Sequence, residues 1–220
     1  MRWAVLAVGM VAAALPDVAR AAECAMPGHG GVPQVRLVAT EVAPVRRHDR
    51  SKGELSALNP ALRQGQSEAG LTSSRAGYDI RPQVWVRPLD GHTTCIAVKS
   101  VEVDWRIALL TIDIASDYPE GSCAYQAIKD HENQHVAITR AAFARAAVEL
   151  RRRLDDAMRA FDRPVVLPVP SAEAAQAVAV RLQRVVVAVA DRYQEDSRRA
   201  NATIDTPASY ARVHARCRDW

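Results

Sequence analysis

No glycine or proline interrupts the chain between Ser122 and Arg163, so this stretch is expected to form one long helix. The segment before it, Tyr118-Pro119-Glu120-Gly121, contains helix breakers, and Ser122 can cap the first turn. Apolar side chains recur through the stretch at helical spacing, which predicts one buried face. A helix of this length needs a long surface to pack against, and this requirement constrains the fold of the whole chain.

The sequence His131-Glu132-Asn133-Gln134-His135 lies within this stretch and has the pattern HExxH. Residues four apart on a helix share one face, so His131 and His135 can bind one tetrahedral zinc ion. Glu132 can then accept a proton from a water molecule at the metal. One inward histidine is usually a core residue with a polar partner, but two at ligand spacing favour a metal site. We therefore predict zinc as the cofactor and Glu132 as the catalytic base.

The geometry of the predicted helix limits where the third metal ligand can lie. The elongated zincin pattern places a histidine six residues after His135, where this chain has Ala141. Asp155 and Asp156 follow about twenty residues on, but an unbroken helix carries them roughly 30 Å from the metal. The break at Pro164 to Pro170 precedes a second amphipathic stripe, which predicts an antiparallel helical hairpin. Residues near 199 to 203 should therefore lie opposite the two histidines.

The third ligand is expected from the end of the second helix or from the tail after it. Four donors are in reach: Asp205, with Asp196, Glu195 and His214 as alternatives. Asp205 stands where the second helix should end, before Thr206-Pro207, which is a common position for a site residue. Tyr210 and Tyr193 are candidates for a hydrogen bond to the oxyanion of the transition state.

The beginning of the chain has the composition of a signal peptide. Met1-Arg2 precedes an apolar stretch from Trp3 to Leu15, and Ala19-Arg20-Ala21 places small residues at both cleavage positions. We expect residues 1–21 to be removed, leaving no stable membrane anchor, because the apolar stretch is too short to span a bilayer. The chain is therefore predicted to be an exported bacterial protein, periplasmic or extracellular.

Four cysteines follow the predicted cleavage site: Cys24, Cys95, Cys123 and Cys217. In an exported chain they indicate two disulfides, for which three connectivities exist. We favour Cys95 with Cys123, which would tie the sheet to the start of the HExxH helix, and Cys24 with Cys217.

Composition and charge describe an ordinary globular chain. Hydrophobic residues make up 49% of the sequence, which is enough for one domain with a core. The formal net charge is +4, and the arginines are scattered without interleaved aromatic residues, so no nucleic-acid partner is expected. Residues 22–77 are rich in Gly, Pro, Ser and Gln and are expected to be irregular, apart from a strand-like run from Val35 to Val42.

The apolar period changes to two between Tyr78 and Ala115. It predicts three antiparallel strands, around Val84 and Val86, from Val101 to Trp105, and from Leu110 to Ile114. The last of these is a candidate edge strand for an extended peptide. The fold class is therefore α+β and zincin-like, with a small antiparallel sheet followed by a long two-helix hairpin that carries HExxH on its first helix. Residues 78–220 would form this metallopeptidase domain.

These features together resemble a known family. Cys123 shortly before HExxH, the preceding strands, the hairpin, and Asn201-Ala202-Thr203-Ile204-Asp205 are similar to the bacterial predicted secreted zinc-dependent proteases. The likeness extends from about Tyr78 to Cys217, and it implies an exported, zinc-binding, proteolytic domain. Members typically have glycine before the second histidine and His-Gly after the aspartate, where this chain has Gln134 and Tyr210-Ala211.

The most consistent function is an exported zinc metallopeptidase that acts on a polypeptide or cell-envelope substrate. One alternative is a non-catalytic exported binding or structural module, in which the metal is structural or absent. That alternative predicts no water-filled cleft beside Glu132. A second alternative is an amidase of cell-wall peptides, which would share the zinc chemistry and differ in the shape of its pocket.

Overall fold

A computed structural model describes residues 24–59 and 67–220, and the predicted signal peptide lies outside these residues. The described chain has mixed α/β architecture, with a five-stranded sheet and four α-helices. In chain order these are β1 Gln34–Glu41, β2 Val45–Arg47, α1 Lys52–Leu58, β3 Gly70–Pro88, β4 Thr94–Ile114, α2 Cys123–Met158, β5 Val165–Leu167, α3 Ala174–Ala202 and α4 Pro207–His214.

The sheet is built around β4, with which every other described strand pairs. β3 runs antiparallel along one side of β4 over its whole length. The other side carries β1 and β2, which are parallel to β4, and β5, which is antiparallel. The expectation of an antiparallel sheet is therefore not confirmed, because two strands from the N-terminal region join β4 in parallel.

The two strands expected from Val101 to Trp105 and from Leu110 to Ile114 are one continuous strand, β4. Opposite them, Ala76 pairs with Ile107 and the preceding residue of β3 pairs with Leu109, so Ala108 is an extra residue in a β-bulge. A bulge shifts the alternation of inward and outward side chains by one residue. This shift moves the buried positions from odd to even numbers and explains why the sequence suggests two strands.

The region expected to be irregular up to residue 77 contributes β1, β2, α1 and the start of β3. The strand-like run is confirmed as β1. α1 begins at a capping box, in which Ser51 and Glu54 satisfy each other's backbone N–H groups. The domain boundary predicted at residue 78 thus falls inside β3.

The helical hairpin forms as predicted and covers one face of the sheet. Ser122 accepts a hydrogen bond from the backbone N–H of Tyr125 and caps α2. Between hairpin and sheet, the Trp105 ring stacks on Phe143 at 5.6 Å and meets Tyr193 edge-on. These rings belong to the hydrophobic core, which fixes the position of α2 against the strands.

The disulfides join Cys24 to Cys95 and Cys123 to Cys217, so the predicted pairing is wrong. Cys95 lies near the start of β4, whereas Cys123 follows its end. Cys95 and Cys123 are therefore at opposite ends of the sheet. Dividing β4 into two strands led to the wrong expectation that they are close.

Within the described ranges, no helix combines the length and apolar character needed to cross a bilayer.

Candidate metal centre

The three HExxH side chains converge at the point where α2 passes the start of β3. His131 and Glu132 are buried, and His135 is half-buried. Their donor atoms lie within 4.8 Å of one another, and the group could hold a metal ion. Helical spacing alone places the two imidazoles side by side, with ring centroids 4.8 Å apart.

Asp205, between α3 and α4, brings a carboxylate to the same point. Its Oδ1 atom lies 3.3 Å from His131 Nε2 and 3.0 Å from His135 Nε2, and the two nitrogens are 3.2 Å apart. Ligands of a tetrahedral zinc ion with bonds of about 2.0 to 2.1 Å are separated by about 3.3 to 3.4 Å. The triangle therefore has nearly the size that such an ion requires. Asp205 completes it more closely than Glu132, which leaves Glu132 free for another role.

Asn201 holds the ring of His135. His135 Nδ1 donates to Asn201 Oδ1 at 2.9 Å, and Asn201 Nδ2 lies 3.4 Å from Ser197 Oγ, which supports this amide orientation. With Nδ1 bound to Asn201, Nε2 is the nitrogen that faces His131 and Asp205. Asn201 is not among the site residues expected from the sequence, although its position four residues before a candidate ligand is a usable signal.

Asp205 places a negative charge beside the two imidazoles. Burial alone would lower the pKa of His135, but hydrogen bonds to Asp205 and Asn201 raise it to about 9. Burial alone would raise the pKa of Asp205, yet hydrogen bonds from the two histidines hold it well below its usual range. Asp205 is therefore ionised, and it stabilises positive charge where a metal ion would lie.

His131 differs from His135 in its outer nitrogen. Its Nδ1 atom is buried and has no hydrogen-bond partner within the described part of the chain. Metal-binding histidines usually donate this second N–H to an acceptor, which fixes the ring. Here the ring is held by packing instead, including that of the Tyr210 ring at 5.5 Å.

Glu132 is positioned by two residues of β3. Its Oε2 atom accepts a hydrogen bond from Thr72 Oγ1 at 2.8 Å. Burial raises the pKa of Glu132, against the opposing effects of His135 and Thr72. Gly70 lies directly beside the carboxyl group. Neither β3 residue is among the site residues expected from the sequence, although a glycine within a strand often marks a close approach of another group.

Of the two tyrosines considered for stabilising the oxyanion, Tyr210 lies at the site and Tyr193 does not. Tyr210 donates from its hydroxyl to Asp205 Oδ1 at 3.1 Å, and burial together with the charge of Asp205 raises its pKa. Tyr193 lies in the core against Trp105 and Phe143, so the structure does not bring it to the site.

Of the three alternative ligands, two are engaged elsewhere and the third lines the cavity. Glu195 and Asp196 both form ion pairs with Arg199 on the surface of α3. His214 lines the same cavity as the triangle, with its ring packed on Trp220 at 4.1 Å. Of the four donors proposed from the sequence, Asp205 is thus the one that meets both histidines.

A cavity of about 400 Å³ opens beside the triangle. His131, Glu132, His135 and Asp205 line it, together with the first residues of β3. This volume is in the usual range for small-ligand sites and can admit a short segment of a larger substrate.

Comparison with protein-family models, with curated proteins and with solved structures finds no match for this chain. The resemblance to secreted zinc-dependent proteases stays a prediction, and the geometry of the site carries the functional argument.

Proposed function

We propose that the protein is an exported zinc-dependent peptidase of zincin-like architecture. The observation that carries this proposal is the triangle of His131, His135 and Asp205 donor atoms, with edges of 3.0 to 3.3 Å, beside the buried Glu132. Two imidazoles and one carboxylate are a common ligand set of catalytic zinc, and they leave one coordination position for the reaction.

The residues around the triangle have distinct roles in this proposal. Bound zinc would supply a Lewis acid that polarises a carbonyl group and acidifies water. Glu132 accepts the proton of the attacking water, and its raised pKa makes it a stronger base than an exposed carboxylate. Thr72 orients the Glu132 carboxyl group, and Tyr210 orients Asp205. Tyr210 lines the cavity and remains the candidate for stabilising the oxyanion, for which its hydroxyl would give up its hydrogen bond to Asp205.

The strand edge beside the cavity supports a polypeptide substrate. The edge predicted at Leu110 to Ile114 is not available, because β3 and β2 pair with this part of β4 on its two sides. β3 instead pairs with β4 alone among the described strands, and Gly70, Leu71, Thr72 and Ser74 line the cavity. An extended peptide could add to the outer edge of β3 and lie across the metal centre.

Four further features fit the proposal. Imidazole nitrogens and carboxylate oxygens are both common ligands of zinc. The two disulfides are consistent with an oxidising compartment, as expected of an exported protein. The hairpin and the Asp205 region agree with the resemblance to secreted zinc-dependent proteases. The cavity beside Glu132 favours a hydrolase over a non-catalytic binding module, which would not require it.

The substitution Glu132→Gln tests this proposal, because it keeps the side-chain shape and removes the proton acceptor. We expect peptide hydrolysis to fall about a hundredfold or more while zinc content and fold are retained. Wild type and variant would be incubated with a mixed peptide library, and the products would be read by mass spectrometry. Glu173→Gln, an exposed acid outside the cavity, is the matched control. Equal cleavage by wild type and Glu132→Gln would contradict the role of Glu132, and zinc binding without any cleavage by the wild type would contradict the peptidase.

A further inference from the structure

Glu68 brings a third carboxyl group to the cavity, from the segment just before β3. Asn59, which caps the end of α1, donates to Glu68 Oε1 at 2.5 Å. The backbone N–H of Glu68 donates to Ser56 Oγ, also on α1, at 2.9 Å. The half-buried carboxyl group is therefore fixed in the cavity wall by α1 rather than extended into solvent.

The cavity is acidic although the chain as a whole is basic. The sequence has 29 lysines and arginines, yet the described residues that line the cavity include neither type. Its carboxyl groups are those of Glu68, Glu132 and Asp205. Burial raises the pKa of Glu68, Asn59 opposes this rise, and the charge of Asp205 adds to it. Within the described chain, no lysine or arginine forms an ion pair with Glu68.

Glu68 also differs from the other two acids in its surroundings. Asp205 contacts both histidines, and Glu132 lies next to them on α2. The side chain of Glu68 is bound instead by a neutral amide, which leaves carboxylate lone pairs for a partner that enters from the cavity. Leu71, Ile128 and Val213 supply apolar surface on the same lining, against which a hydrocarbon stem can pack.

We infer that Glu68 binds an organic cation of the substrate, an ammonium or guanidinium group, next to the metal centre. This inference rests on the proposed peptidase function and specifies the peptides that the site accepts. The group can come from a lysine or arginine side chain or from a free amino terminus, since all of these donate charged hydrogen bonds to a carboxylate.

The test is equilibrium binding to zinc-loaded Glu132→Gln protein, in which peptides stay intact. Four peptides of one sequence would carry arginine or citrulline at one position and a free or acetylated amino terminus. We expect a cationic peptide to bind about 10- to 100-fold more tightly than the peptide without any cation. Adding Glu68→Gln should remove that preference, whereas adding Glu173→Gln should preserve it. The arginine-to-citrulline and free-to-acetylated comparisons identify the source of the cation.

Each outcome decides the matter. Equal binding of all four peptides, or an equal loss for all four in the Glu68→Gln background, would overturn the cation site. A third result would also overturn the cation site: two zinc ions bound per chain in the parent protein and one in the Glu68→Gln variant. Glu68 would then be a metal ligand. A cationic preference that depends on Glu68, together with no cleavage by the wild type, would retain the cation site and reject the peptidase.

Discussion

Gly70 and Glu132 approach each other so closely that a β-carbon on Gly70 would lie 2.7 Å from Glu132 Oε1. The same atom would lie 2.6 Å from Ile128 Cγ2, on the preceding turn of α2. The φ angle of Gly70 is not positive, so its backbone does not require glycine. The requirement comes from the side chains of Ile128 and Glu132, which occupy the space that a side chain at residue 70 would need.

The substitution Gly70→Ala should therefore push α2 away from β3 and displace Glu132. We expect a loss of about 1–3 kcal/mol in the free energy of unfolding, the usual cost of overpacking, and a reduction in hydrolysis. Gly91→Ala is the control, because a β-carbon there has no atom within 4 Å and the φ angle is not positive. Denaturant unfolding of the two variants gives the comparison, and equal midpoints would show that the contact does not constrain the helix.

The purified protein should contain about one metal ion per chain, held by the histidine pair and Asp205. The double variant His131→Ala, His135→Ala should lose it. A double variant of His29 and His92 to alanine should keep it, because these histidines lie outside the cavity. Elemental analysis after dialysis measures all three proteins. Similar metal content in the two double variants would place the ion elsewhere or show that its binding is not specific.

Asn201→Ala should weaken metal binding, because His135 Nδ1 would lose its acceptor and the ring its orientation. The expected decrease in affinity is about 10- to 100-fold, the typical effect of removing such a partner. Asn201→Asp retains an acceptor oxygen and should recover most of the affinity. Competition with a chromophoric chelator would give the dissociation constants. If Asn201→Asp were as weak as Asn201→Ala, the acceptor would not be the property that matters.

The two disulfides should differ in their effect on the site. Replacing Cys123 and Cys217 with serine frees the segment after α4 from the start of α2 and should weaken metal binding by loosening Asp205 and Tyr210. Replacing Cys24 and Cys95 should leave metal affinity unchanged. Each double variant should lose about 2–5 kcal/mol in the free energy of unfolding. Thermal unfolding and metal titration of both variants test this, and an equal change in metal affinity would contradict the assignment.

Local spacing made α2 and its paired histidines predictable, since both depend on one helical period. The hairpin then limited the third ligand to a few donors. Asp205 was the first choice, but the sequence could not exclude the other donors, because the chain direction after α3 depends on packing and on the Thr206 cap of α4. Thr72 was out of reach of such reasoning, since it meets Glu132 across 60 residues of sequence.

The division of β4 into two strands and the wrong disulfide pairing have the same cause. The bulge at Ala108 changes the phase of burial within β4, so a periodicity argument divides the strand. Two short strands in place of β4 would allow the chain to turn back and bring Cys95 close to Cys123. The unbroken strand instead separates them, and Cys123 pairs with Cys217 in the tail that follows α4.

The crosslink between Cys123 and Cys217 has a consequence for how the molecule responds to a proteolytic cut. It joins residues 94 positions apart in the sequence, and the loop that it closes contains His131, His135 and Asp205. A single cut in the linker between α2 and α3 would leave the histidines on one fragment and the aspartate on the other. The fragments would remain covalently joined, so a nicked molecule would keep the two histidines and the aspartate together until the disulfide was reduced.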